Sequence, residues 1–199
     1  MLDQELLAKA EANDVQAIFE VAKAYYIGDG VEENNDKAFE LFSKVVALDP
    51  NFPDVYSRIG RCYEKGWGTA QDLKKAVDAY TTGANLNSAG CHYYLALAYE
   101  NGTGVVQDEQ KAIQHYKIAA DLGMVEMGHR YRAGNGVEKD DVIATEYYRK
   151  AAEKDDSNGV YQLARAYYDG LGVEKDVPRS TQLWEKSAEL GHWGAQFYT

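Results

Sequence analysis

Apolar and small residues recur along this chain at spacings of three and four, the period of one helical face, and the whole pattern then repeats. Its marker is a pair of glycines separated by one residue: Gly28/Gly30, Gly66/Gly68, Gly102/Gly104, Gly134/Gly136 and Gly170/Gly172, in steps of 38, 36, 32 and 36 residues. Three positions before each first glycine stands a tyrosine: Tyr25, Tyr63, Tyr99, Tyr131 and Tyr167. Seven and six before it come an apolar and then a small residue: Val21/Ala22, Ile59/Gly60, Leu95/Ala96, Met127/Gly128 and Leu163/Ala164. This predicts one helix ending at each glycine pair.

A second helix is predicted to start six positions past the first glycine, at Asn34, Asp72, Asp108, Asp140 and Asp176. Each has a short polar side chain able to accept a bond from an orphaned amide of the first turn, worth about 0.5–2 kcal/mol. Four residues on lie Ala38, Ala76, Ala112, Ala144 and Ser180, followed by Leu41/Phe42, Ala79/Tyr80, His115/Tyr116, Tyr147/Tyr148 and Leu183/Trp184. The unit is thus helix, glycine turn, helix. Small residues let the two helices approach and aromatics fill the space beside them. One pair cannot bury its own apolar face, so neighbours must stack. A fully buried tyrosine column would contribute about 4–6 kcal/mol gross per ring.

The stretches LARAYYDGLGVEKD with LWEKSAELGH, LALAYENGTGVVQD with AIQHYKIAADLG, and RYRAGNGVEKD with EYYRKAAE resemble the Sel-one-like repeat family, relatives of the tetratricopeptide proteins. The likeness covers about residues 14–199. It implies an all-α, right-handed α-α solenoid of about five helix-turn-helix repeats forming a single domain over residues 1–199, with partial repeats at both ends. The first copy departs in ALDPNFPD, where Pro50 stops one helix and Pro53 opens the next. The fourth is about one helical turn short, so its first helix, near residues 124–133, is expected to be truncated, with a local stacking defect. Leu2, Leu6, Leu7 and Ala10 share a face and predict a lone helix over the first repeat. Gly191 to Thr199 reads as the opening of a sixth copy with Ala195 at its small position; Trp193, Phe197 and Tyr198 then either fold back or meet another chain.

Composition narrows the function. With 32 acidic and 21 basic side chains the formal charge is −11, a field that repels nucleic acid and anionic lipid. No run is long and apolar enough to span a bilayer, and residues 1–20 show no secretory stretch; the expectation is a soluble chain, cytoplasmic where Met1 is the native start. Cys62 and Cys91 lie about 10 Å apart along neighbouring first helices, which predicts reduced core thiols and no disulfide. His92, His115, His129 and His192 are scattered, so no metal and no cofactor is expected. The glycine pairs follow helices, not strands, and precede acidic caps, which argues against a phosphate loop. Asn101-Gly102-Thr103 reads as the repeat turn and not as a glycosylation site. No catalytic nucleophile-and-base motif is present.

What remains is surface. By resemblance to tetratricopeptide stacks, positions 12, 9, 5, 2 and 1 before each first glycine face a concave groove. The column five before is Lys23, Arg61, Leu97, His129 and Arg165, basic in an acidic protein; two before are Tyr26, Glu64, Glu100, Arg132 and Tyr168; nine before are Phe19, Ser57, Tyr93, Val125 and Tyr161. Aromatics beside guanidinium groups suit extended peptides or carboxylates. The bland alternative is that these side chains pair with neighbouring glutamates. The expected function is therefore a non-catalytic scaffold or adaptor that takes a partner protein or peptide in this groove, with Lys23, Tyr26, Arg61, Glu64, Tyr93, Glu100, His129, Arg132, Tyr161, Arg165 and Tyr168 as the contact set. A hydrolase acting on cell-wall-like substrates, or a solenoid that self-associates through its C-terminal partial repeat, are the alternatives.

Overall fold

The computed structural model describes residues 2–135 and 137–198, so Met1, Gly136 of the fourth glycine pair and the last residue of the predicted sixth copy, Thr199, lie outside it. Eleven helices follow one another: α1 Gln4–Glu11, α2 Val15–Ile27, α3 Asn35–Leu48, α4 Pro53–Lys65, α5 Leu73–Asn85, α6 Ala89–Asn101, α7 Glu109–Asp121, α8 Glu126–Ala133, α9 Asp141–Ala152, α10 Ser157–Asp169 and α11 Val177–Glu189, with a 3₁₀ turn at Ala195–Phe197. The described residues contain no strand. Packing divides the chain into two compact units, Met1–Ala112 and Ile113–Thr199, with the boundary inside α7. In the first, α1 to α6 pack each on the next; in the second, α8 to α11 do the same.

Each repeat is closed by the same wedge. The aromatic fourteen positions past the first glycine, on the second helix, is buried in all five copies: Phe42, Tyr80, Tyr116, Tyr148 and Trp184. Opposite Tyr80 and Tyr148 the first helix carries its small residue. A Cβ on Gly60 would overlap the Tyr80 ring, and one on Gly128 would overlap the Tyr148 ring.

The tyrosines three before the glycines do something else. Only Tyr167 is fully buried; Tyr25, Tyr63, Tyr99 and Tyr131 are half-buried, so the expectation of a buried phenol column is corrected. Their backbone carbonyls accept from the N–H of the next helix cap in every copy, at 2.8 Å from Asn34 and 2.9 Å from Asp72, Asp108, Asp140 and Asp176. The Tyr63 ring also meets Phe39 of α3 edge to face at 5.5 Å, and the Tyr167 ring joins the buried cluster of Tyr148, Val160 and Leu163. Cations of the second helix cover four of the rings: Lys37 at 4.4 Å, Lys75 at 5.5 Å, Lys111 at 5.2 Å and Arg179 at 4.5 Å from the ring centroids. The fourth copy has Ile143 at that place, and Tyr131 stacks on Tyr147 instead.

The predicted caps all act as such. Asn34, Asp72, Asp108 and Asp176 accept from the amide three residues on at 2.9–3.0 Å, and Asp140 accepts from Val142 and Ile143 at 2.9 Å. First helices have caps of their own fourteen positions before the glycine, at Asp14, Ser88 and Asp156, while Pro53 opens α4. In the fourth copy that register falls on Ala120, still within α7, so no cap is available there. Accordingly α8 has eight residues where the other first helices have thirteen, and Val125 at its N-cap makes no side-chain bond.

At the ends, Leu2, Leu6, Leu7 and Ala10 are the half-buried positions of the α1 segment, as their shared face requires. Ala195 is fully buried against Ala164 and Trp184. Tyr198 folds back, stacking on Trp184 at 4.2 Å, whereas Trp193 and Phe197 are 74% and 78% exposed and touch each other edge to face.

The two glycines of a pair have different duties. Gly102 is the left-handed cap of α6, with φ +67° and ordinary room beside it, its nearest neighbour Gln107 Cβ lying 3.4 Å from where a Cβ would stand. At Gly104 a Cβ would collide with the Leu73 carbonyl at the start of α5 in the preceding repeat. Gly102→Ala should cost about 1–2 kcal/mol of backbone strain. Gly104→Ala should cost about 1–3 kcal/mol more, because two backbones must also separate. Urea unfolding of the two variants checks the order.

Candidate functional site

The candidate residues fall into groups that the packing treats differently. In the first unit Tyr26, Arg61 and Glu64 come together. The Arg61 guanidinium lies 5.6 Å from the Trp67 ring and 5.3 Å from the Tyr94 ring, hydrogen-bonds Tyr26 and reaches Glu64 at 3.5 Å. Glu64 also pairs with Lys65 at 2.8 Å and accepts the hydroxyl of the buried Tyr80 at 2.8 Å. Burial works against both charges. The Tyr26 bond and the neighbouring Tyr94 and Glu64 overcome it for Arg61, whose pKa is raised. Bonds from Lys65 and Tyr80 and the Arg61 charge overcome it for Glu64, whose pKa is lowered. This cluster is satisfied internally. Lys23 is likewise paired, with Glu20 at 2.8 Å.

In the second unit, His129 and Arg132 of α8 and Arg165 of α10 line one open cavity of about 500 Å³, with Glu126, Arg130 and Gln162. Arg130 is engaged: it sits 3.8 Å over the Tyr116 ring, donates to the Tyr116 hydroxyl at 2.6 Å and faces Glu126 at 3.6 Å. Arg132 and Arg165 have no ion-pair partner among the described residues. The reason is local. Positions three and four from Arg132 hold no acid, and the exposed Asp169 makes no ion pair with Arg165. The Tyr148 hydroxyl lies 3.2 Å from His129 Nδ1 and also hydrogen-bonds Arg132. Burial, then the charges of Arg132 and Arg165, hold the His129 imidazole below the usual histidine range, which keeps it neutral at pH 7.

The other candidates stand apart from these clusters. Tyr161 stacks on His192 at 4.3 Å and lies near Tyr198, so it belongs to the C-terminal packing. Tyr168 is exposed, with Lys175 5.4 Å over its ring. Tyr93 is half-buried edge-on to Tyr94, and the Glu100 carbonyl accepts from Gln107. Cys62 and Cys91 are buried free thiols, pushed by burial up to about 11 and about 12. The described residues hold no cluster suited to a metal, and no helix among them is long and apolar enough to cross a membrane.

Sequence reasoning missed the column eight before each glycine: Glu20, Arg58, Tyr94, Glu126 and Gln162. It lies three residues before the basic column, hence on the same helical face, and it supplies the neighbours of Lys23, Tyr26, Arg61, Arg130 and Arg165. The helical period alone could have pointed to it.

Residues 15–48, 53–88, 89–124, 123–156 and 157–192 each match the family model of the Sel1 repeat. The chain belongs to the Sel1 repeat family. Sel1 repeat proteins generally mediate protein–protein interaction and are typically non-catalytic scaffolds. Among solved structures the chain is similar to c5321, a protective antigen of uropathogenic Escherichia coli displaying an SLR fold, at 32% identity and TM-score 0.62, over 96% of this chain and 42% of that one. It is similar to a Sel1 repeat protein from Oxalobacter formigenes at 29% identity and TM-score 0.66, over 92% of this chain and 76% of that one. An immunity protein from Pseudomonas aeruginosa, Pa5087, shares the fold at 20% identity and TM-score 0.62, over 99% of this chain and 70% of that one. The chain thus spans less than half the length of the E. coli antigen. No curated protein matches it.

Two outcomes follow for this Sel1 array. Arg61→Glu, which sets two acids side by side in a half-buried cluster, should destabilise the protein by about 2 kcal/mol or more, whereas Arg165→Glu should stay within about 1 kcal/mol; urea midpoints decide. His92 is buried, and like His129 its pKa is lowered by burial. Below about pH 6.5 the unfolded chain takes up protons that these imidazoles refuse, so stability falls as pH drops from 6.5 toward their folded pKa values. Arg165→Gln, which removes a charge opposing protonation of His129, should shrink that fall in a comparison of unfolding midpoints at pH 7.5 and 5.5.

Proposed function

We propose that this Sel1 repeat protein is a non-catalytic interaction scaffold that holds a partner protein along its first-helix face, with the cavity between α8 and α10 as the main point of capture. One observation carries the reading. Among the cations of the first helices, Lys23, Arg61 and Arg130 are each matched by a carboxylate and Arg58 lies over the Tyr26 ring, whereas Arg132 and Arg165 are left without a carboxylate beside an open cavity. Unmatched guanidinium groups in a concave site are the usual anchors of a binding surface. The groove residues of the first unit act differently in this reading: Tyr26, Arg61 and Glu64 hold their own helices, and Tyr93 and Glu100 add contact area, as Tyr168 does in the second unit. An enzyme is disfavoured because Glu126, the carboxylate lining the cavity, is paired with Arg130.

End-to-end self-association is a second reading, favoured by the exposed Trp193 and Phe197. Sedimentation of the protein and of Trp193→Ala/Phe197→Ala across a concentration series tests it, since a mass independent of concentration removes it.

Affinity capture from the source lysate tests the main reading. The double variant Arg132→Glu/Arg165→Glu, shown folded by circular dichroism, should lose a protein that the unaltered chain retains. Identical retained proteins would remove the cavity from the interaction surface.

A further inference from the structure

We infer that the cavity between α8 and α10 is a subsite for a peptide carboxylate, in which Arg132 and Arg165 take the carboxylate and the Gln162 amide oxygen takes a neighbouring peptide N–H. The inference rests on the interaction reading above and names the chemistry recognised.

Charge comes first. Arg132 and Arg165 approach the cavity from two different helices, and both are close enough to act on the same imidazole, His129, and the same phenol, Tyr148. Two guanidinium groups converging on one space, in a chain of net charge −11, form a local anion site that the rest of the molecule does not fill. The Tyr148 hydroxyl bonds Arg132 and so fixes where its fork points. Arginine forks suit the planar, two-oxygen geometry of a carboxylate.

The remaining polar groups select among anions. Glu126 stands in the wall and is occupied with Arg130, so the cations left for a ligand are Arg132 and Arg165. Gln162 adds a second requirement, a hydrogen-bond donor beside the anion. It is nine-tenths buried, its Nε2 donates to Asn158 Oδ1 at 3.3 Å, and its Oε1 has no donor. A buried amide oxygen without a donor costs about 1–3 kcal/mol. Gln162 lines the same cavity as the two arginines, so a ligand held there is the group that can supply the missing donor. A peptide offers an N–H next to its carboxylate, at the C-terminus or beside an Asp or Glu, and meets both needs at once.

The histidine reports occupancy. The chain has four histidines, so each imidazole is resolvable by NMR. A bound carboxylate would offset the two guanidinium charges that depress His129, and its pKa would rise. The full-length protein is titrated with acetyl-Ala-Ala as the free acid, with the same peptide as its C-terminal amide, with acetyl-Ala-Asp-Ala-amide, and with inorganic phosphate, following the His129 resonance. The free acid, the internal-Asp peptide or both should raise the His129 pKa, and which does so identifies the source of the carboxylate; the neutral amide should not. Arg132→Gln and Arg165→Gln should each weaken the response about tenfold, with Arg165→Lys between the unaltered protein and Arg165→Gln. Equal responses to acid and amide, no response to either acid, a stronger response to phosphate, or an unchanged response in both Gln variants would overturn the inference. Loss of lysate capture in the double Glu variant without any response to the acids would overturn the carboxylate subsite alone and leave the interaction surface standing.

Discussion

The contact between a large aromatic on the second helix and a small residue on the first sets the spacing of the helix pairs within each unit of this chain. It is a contact with no slack. Tyr80 lies where a side chain on Gly60 would be, and Tyr148 lies where one on Gly128 would be. Ring burial at these positions supplies the apolar area that a lone helix pair lacks, and the glycine or alanine opposite determines how closely the helices approach.

The same wedge shapes the exposed face. A buried tyrosine needs a partner for its hydroxyl, and these hydroxyls reach residues on that face: Tyr80 reaches Glu64, Tyr116 receives Arg130, and Tyr148 meets His129 and Arg132. Polar side chains there are thus partly committed to the core. In the first unit Arg61, Glu64, Tyr26 and Tyr80 satisfy one another. In the second the commitment is incomplete, and the two arginines left over mark where a ligand's charge would fit. Function, in this account, occupies the remainder after the fold has satisfied its own polar groups.

The helix pairs were legible in the sequence because their signals are local and repeated. Asn34, Asp72, Asp108, Asp140 and Asp176 are caps by chemistry and by register, and the 32-residue step foretold the short α8. The burial of the tyrosines before the glycines was misjudged because periodicity reports a helical face but not whether a turn and its lysine cover it. The candidate site was half legible. The basic column was visible, yet whether Arg61 or Arg165 finds a carboxylate depends on contacts between helices that spacing along the chain does not contain.

A double-mutant cycle on Gly60 and Tyr80 tests the central contact most directly, with unfolding free energies from urea titration. If the wedge sets the helix spacing, Gly60→Ala is destabilising in the unaltered protein and close to neutral once Tyr80→Ala has removed the ring, a coupling of about 1 kcal/mol or more. Additive effects of the two substitutions would show that the ring and the glycine do not constrain each other, and would contradict the account.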